Sequence, residues 1–141
     1  MGERRARADG TRLVKPEVVG IGRQPPITGP HRGDVHFITF PDTGGNVLRG
    51  PHPAVVVQAD RMSRSSTIVV VPMTSSARSA DEQPPYLVAV SSRESGLDRD
   101  GYVKCDQPAT LPVVVLGPRA GRLSLPAMEQ LDISLRFVLD L

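Results

Sequence analysis

Apolar and polar residues alternate first at Asp34 to Phe40, "DVHFITF". Val35, Phe37 and Thr39 point one way; His36, Ile38 and Phe40 point the other, which is the period of a strand. A dense turn-forming stretch follows, "PDTGGNVLRGPHP", and reads as a long loop over 41–53. Residues 54–60, "AVVVQAD", open on a continuous apolar run, the pattern of a strand covered on both faces. "RMSRSS" is a connecting turn, and "TIVVVPMT" (67–74) is a second such strand. The short link predicts an antiparallel pair. "SSARSADEQPP" is another polar loop. "YLVAV" (86–90), "YVKCDQ" (102–107) and "RAGRLS" (119–124) predict shorter strands, and "SSRESGLDRDG" between the first two is a turn-rich link. After Ser124 the period changes. Met128, Leu131, Leu135 and Val138 recur at spacings of three and four, with Glu129, Gln130, Asp132, Arg136 and Asp140 largely elsewhere. That is an amphipathic helix, with Ser124 as its N-cap and Pro126 tolerable in its first turn. Several short strands and one terminal helix predict a mainly β domain, a small barrel with a helix packed on it.

Composition narrows the chemistry. The 141 residues suffice for one domain with a core, and that core must be aliphatic, because there is no Trp and there are only two Tyr and three Phe. The single cysteine, Cys105, can form no internal disulfide and no Cys-based zinc cage. Three scattered histidines make no metal-binding pattern, so no metal or other cofactor is expected. No apolar run nears the ~20 residues of a membrane span, and no secretory h-region opens the chain. A reducing, cytoplasmic setting is the expectation. Net charge is +2, but residues 1–31 carry six Arg or Lys against three acids, a balance of +3, together with a Pro- and Gly-rich "RQPPITGPH". They read as a mobile basic arm ahead of a domain at 32–141, able to add sequence-independent attraction for RNA.

The order of segments is specific. "RGDVHFITF", a Gly-rich loop, "GPHPAVVVQAD", "IVVVPMTSS", "YVKCDQ", "GRLS" and a helix ending "LRFVLDL" together resemble the MazF/PemK family of toxins. The resemblance implies an SH3-like β-barrel with a C-terminal helix, usually a homodimer, bound by a small antitoxin. It also implies a metal-independent endoribonuclease that cuts single-stranded RNA at short motifs, leaving a cyclic phosphate and a 5′-OH. On this sequence it places a site threonine at Thr74, in "PMTSS". The family arginine that precedes the strand-opening proline falls at His52, in "PHP". The family's "Gln-Ile-Arg-Thr" becomes Gln107-Pro108-Ala109-Thr110, so a second arginine is replaced by Ala109.

In-line RNA cleavage needs a base for the 2′-OH, an acid for the leaving 5′-oxygen and stabilisation of the phosphorane. Arginine suits the last task, and histidine suits either proton transfer. His52 therefore exchanges phosphate clamping for proton transfer, and Arg49, behind the Gly50 hinge, is the candidate clamp. Ser75 joins Thr74 as a hydroxyl donor to phosphate, with Arg78 as a further cation. Asp42, Asn46 and Gln107 are candidates to read base edges; Gln107 could equally be a hydrogen-bonder that pins the loop. Phe40 and Tyr102 are the nearest stacking platforms. Two other functions stay open: a member of the fold that binds RNA or antitoxin without cutting, and a CcdB-like gyrase inhibitor. The second needs a Trp-bearing C-terminal end, which this chain lacks.

Overall fold

The computed structural model describes residues 29–75 and 83–141. Strand β1 (Asp34–Phe40) pairs with β2 (Gly50–Val56), and β2 with β3 (Thr67–Thr74), all antiparallel. Past β3 come β4 (Leu87–Val90), a single helical turn α1 (Ser92–Ser95), β5 (Gly101–Lys104) and β6 (Ala109–Pro112). The chain closes with β7 (Arg119–Arg122) and helix α2 (Leu125–Leu139). The sheet runs in the order β4-β5-β3-β2-β1-β7, with β6 attached to β3.

Both faces of the central strands are covered, as the apolar runs require. Val35, Val55, Val71, Met73 and Val103 lie on one face under Met128 and Leu131 of α2. The residues between them, Ile38, Phe40, Ala54, Val56 and Val70, form a second core on the other face. Leu111, Val113 and Leu116 cover that one. Each fully buried Val, Leu or Ile contributes about 1.5–3 kcal/mol.

Prolines decide where the ladders stop. β2 starts at Gly50, inside the stretch read as loop. It can do so because Phe37, opposite Pro53, gives both its N–H and its C=O to the other side, to Pro118 O (3.1 Å) and Gly117 N (2.7 Å). The Phe37↔Pro53 pair is thus a non-hydrogen-bonded one, and proline's missing donor is not needed toward β1. It is missed on the β3 side, where pairing ends at Ala54↔Pro72. Pro72 itself sits where β3 exchanges β6 (up to Val70↔Ala109) for β5 (from Met73↔Val103).

The expected closed barrel is not what the ladders show. β4 and β7 end the sheet, and no pairing joins them among the described residues. The turn α1 fills that seam instead. A Cβ on Gly121 would lie 2.5 Å from Ser95 O, so β7 and α1 touch backbone to backbone. Glu94 of α1 also accepts from the N–H of Ser124 (2.9 Å) and from its hydroxyl, while that hydroxyl caps Ala127 N at 3.3 Å. β6 and α1 are elements the sequence pattern does not reveal. Residues 1–28 of the basic arm lie outside the described residues.

The start of β1 is tied down by charge. Asp34, 3% exposed, accepts from Arg122 Nε (2.9 Å), Arg119 Nε (3.2 Å) and His31 N (2.9 Å). Burial pushes its carboxyl up, but the His31 amide and the two guanidiniums outweigh burial and hold it below the ordinary carboxylate value. A depressed folded pKa means stability that is present above the unfolded value and lost as pH falls through the folded one. Asp34→Asn is therefore expected to cost about 2–3 kcal/mol at neutral pH. The gap from wild type should narrow below about pH 4. Urea denaturation at both pH values checks this; a gap independent of pH would remove the ion pairs as its cause.

Candidate functional site

The ends of β2 and β3 frame the site. Their ladder ends at Ala54↔Pro72, with His52 two residues before Ala54 on β2 and Thr74 two residues after Pro72 on β3. Period two places both on the face of Ala54 and Val70, opposite Met73. His52 pairs with Ile38 of β1, and its half-buried ring lies against Phe40, centroids 6.5 Å apart and tilted by 58°. Pro51 and Pro53 hold its backbone. Thr74 pairs on its other side with Tyr102, whose half-buried ring is placed on the same face. Ser75 follows, exposed. Phe40 is only 6% exposed and belongs to the core, so it supports His52 and offers no stacking surface; Tyr102 keeps that role.

The loop of residues 41–49 joins β1 to the start of β2, just ahead of His52. Asp42 Oδ1 accepts from Gly44 N at 3.0 Å, a local turn, and its other oxygen lies 3.9 Å from Arg49 Nε. Both side chains are more than half exposed, so the pair is worth under about 1 kcal/mol and leaves Arg49 able to turn toward a phosphate. Asn46 is exposed. Gln107 lies across from the loop: its Oε1 accepts from Leu48 N (2.8 Å) and its Nε2 donates to Asn46 O (3.0 Å). Arg78 lies outside the described residues. The structure thus gathers His52 and Thr74 at two strand ends, and Asp42, Asn46, Arg49 and Gln107 around one loop. Ala109 packs against the second core, which is why a long cation has no ready place there.

Two other polar groups stand apart. Cys105 is fully buried, and burial pushes its thiol up to about 12, against a lowering hydrogen bond from Ser134 and with Asp106 adding to the rise. Such a thiol stays protonated and is no nucleophile. Near Asp34, an open basin of about 500 Å³ is lined by His31, His36, Arg119 and Arg122. His36 Nδ1 bonds to Gly117 O (2.9 Å), and its Nε2 is buried with no partner among the described residues. The pattern of β1 gave no hint of the Asp34 cluster, one of whose guanidinium partners, Arg122, comes from 88 residues away. Among the described residues no three His, Cys, Asp or Glu gather as a metal site, and no helix is long and apolar enough to cross a membrane.

Residues 31–139 match the family model of the PemK-like, MazF-like toxins of type II toxin–antitoxin systems. This chain belongs to that family. The PemK-like, MazF-like relatives include endoribonuclease MazF9 of Mycobacterium tuberculosis, 30% identical over 116 residues, spanning 78% of this chain and 96% of that protein. Endoribonuclease EndoA of Bacillus subtilis is 28% identical, over 78% of this chain and 94% of its own. A mycobacterial endoribonuclease solved in complex with its cognate antitoxin superimposes with a TM-score of 0.65 at 27% identity, covering 80% of this chain and 97% of that one. For a PemK-like, MazF-like toxin, the departures are His52 and Ala109, at both of which the resemblance expects arginine.

Proposed function

We propose that this chain is the toxin of a type II toxin–antitoxin pair and a metal-independent endoribonuclease for single-stranded RNA. The observation that carries the reading is the family match over residues 31–139, with His52 near the start of β2 and Thr74 at the end of the adjoining β3. The ribose 2′-oxygen bonds to the adjacent phosphorus as the bond from phosphorus to the 5′-oxygen breaks. The products are a 2′,3′-cyclic phosphate and a 5′-OH. His52 takes the 2′-OH proton, and a proton is returned to the departing 5′-oxygen. Thr74 and Ser75 hold phosphate oxygens, Arg49 faces the developing charge, with Arg78 kept as a candidate cation from the sequence, and Asp42, Asn46 and Gln107 border the bases. The domain is the SH3-like unit of residues 32–141, acting in the cytoplasm, with the arm adding attraction for any RNA. An antitoxin partner is supported by the solved complex of the mycobacterial relative. Homodimer formation is supported by Ile133 and Phe137, spaced by four on α2 and left 57% and 61% exposed.

The test is cleavage of a long mixed-sequence RNA in EDTA, with the new ends mapped. Cyclic phosphate and 5′-OH ends are expected, and Thr74→Ala should slow cleavage about 10- to 100-fold through a lost charge-assisted contact. A folded protein that binds RNA but never cuts it would establish the second reading, a binding member of the fold; the arginines replaced at His52 and Ala109 favour that reading.

A further inference from the structure

The loop of residues 41–49 has little to hold its shape. Residues 41–47 are all exposed. Gly44 and Gly45 take positive φ, as does Gly50 just beyond, and a Cβ on any of them would meet nothing within 4 Å. Packing therefore does not define this segment. Among the described residues Asp42 bonds within the loop, and such local bonds shape a turn without fixing it against the body of the domain. Among the described residues, the side-chain hydrogen bonds from this loop to another segment are those made by Gln107.

We infer that Gln107 is a positioning residue: its amide brackets the 41–49 loop through Leu48 N and Asn46 O, and so sets which RNA sequences the candidate site accepts. The inference deepens the nuclease reading and rests on it. The geometry is that of a borrowed peptide group. Gln107 presents one acceptor and one donor to a backbone donor and acceptor two residues apart, much as a neighbouring strand would. Its own backbone is held in a turn, with Gln107 N donating to Lys104 O at 3.0 Å, so the bracket is anchored to the end of β5. The bracketed carbonyl is that of Asn46, and Leu48 precedes Arg49. Where the bracket holds, the directions of both side chains are set relative to His52. With both polar ends of its amide engaged, Gln107 keeps one N–H and one lone pair, so its larger effect on RNA runs through the loop.

The test separates this from direct contact and from failure of the nuclease reading. Amide hydrogen exchange is followed at Leu48 in the free full-length chain, for wild type, Gln107→Glu and Gln107→Ala. Glutamate still accepts from Leu48 N but cannot donate to Asn46 O. Exchange at Leu48 should accelerate roughly tenfold in Gln107→Ala and less in Gln107→Glu, with unchanged circular dichroism. In parallel, sequencing of 5′-OH ends from a mixed RNA should show the cut motif broadening at several positions in the same order, with KM rising more than kcat falls. Unchanged exchange at Leu48 with discrimination lost at a single base would overturn the inference and make Gln107 a direct reader. Faster exchange with an unaltered motif would overturn the link to selection. A wild type that never cuts would remove the nuclease reading and with it the selection role, and the exchange result would still decide whether the bracket exists.

Discussion

His52→Ala is expected to lower RNA cleavage by about 100-fold or more, the range for loss of a proton-transfer group. The fold should survive, because the ring is only partly buried and the backbone pairing of His52 with Ile38 does not depend on the side chain. Single-turnover rates in EDTA as a function of pH separate the roles, since a histidine that moves the proton makes the rate depend on pH. The wild-type rate should bend with pH, and His52→Ala should be slow throughout. His52→Arg supplies the charge that the family resemblance expects. It should recover part of the rate while losing the bend, because guanidinium stays protonated. Equal rates in wild type and His52→Ala would take proton transfer away from His52 and move attention to Arg49.

Gly96→Ala should destabilise the domain by about 3 kcal/mol or more. Two costs add. Gly96 ends α1 at φ 80°, a left-handed conformation that alanine resists, and its new Cβ would lie 2.2 Å from Ala120 O and 2.9 Å from Ala120 C. Those atoms are backbone of β7, so relief requires parting α1 from β7 at the seam where the sheet does not close. Gly44→Ala is the control. Its φ is also positive, at 90°, but nothing lies within 4 Å of a Cβ there, so only the conformational cost of about 1 kcal/mol remains. Urea midpoints for the two variants should differ clearly; equal losses would mean that contact with β7 plays no part.

Several features were legible in the chain alone. The alternation in β1, the apolar run at Ala54–Val56, the whole of β3 and the amphipathic α2 with Ser124 as its cap all stand where periodicity puts them. Each encodes which faces of one element must be buried, and that is a local property. The ordered motifs also carried the family resemblance, and from it the expectation of a site at Thr74 and His52. Partner choice was not legible. β6 has four residues and no alternation long enough to read, and it becomes a strand because β3 offers it an edge. β2 begins four residues ahead of its apolar run because Phe37 turns its hydrogen bonds to the other side, so that a proline can stand opposite. The ion pairs of Asp34, the bracket of Gln107 and the approach of Gly96 to β7 join residues far apart in the chain. Residue type and spacing record a side chain's need for burial or for a partner. Which partner answers depends on the strand order and register that bring distant segments together, and here those were decided by tertiary structure.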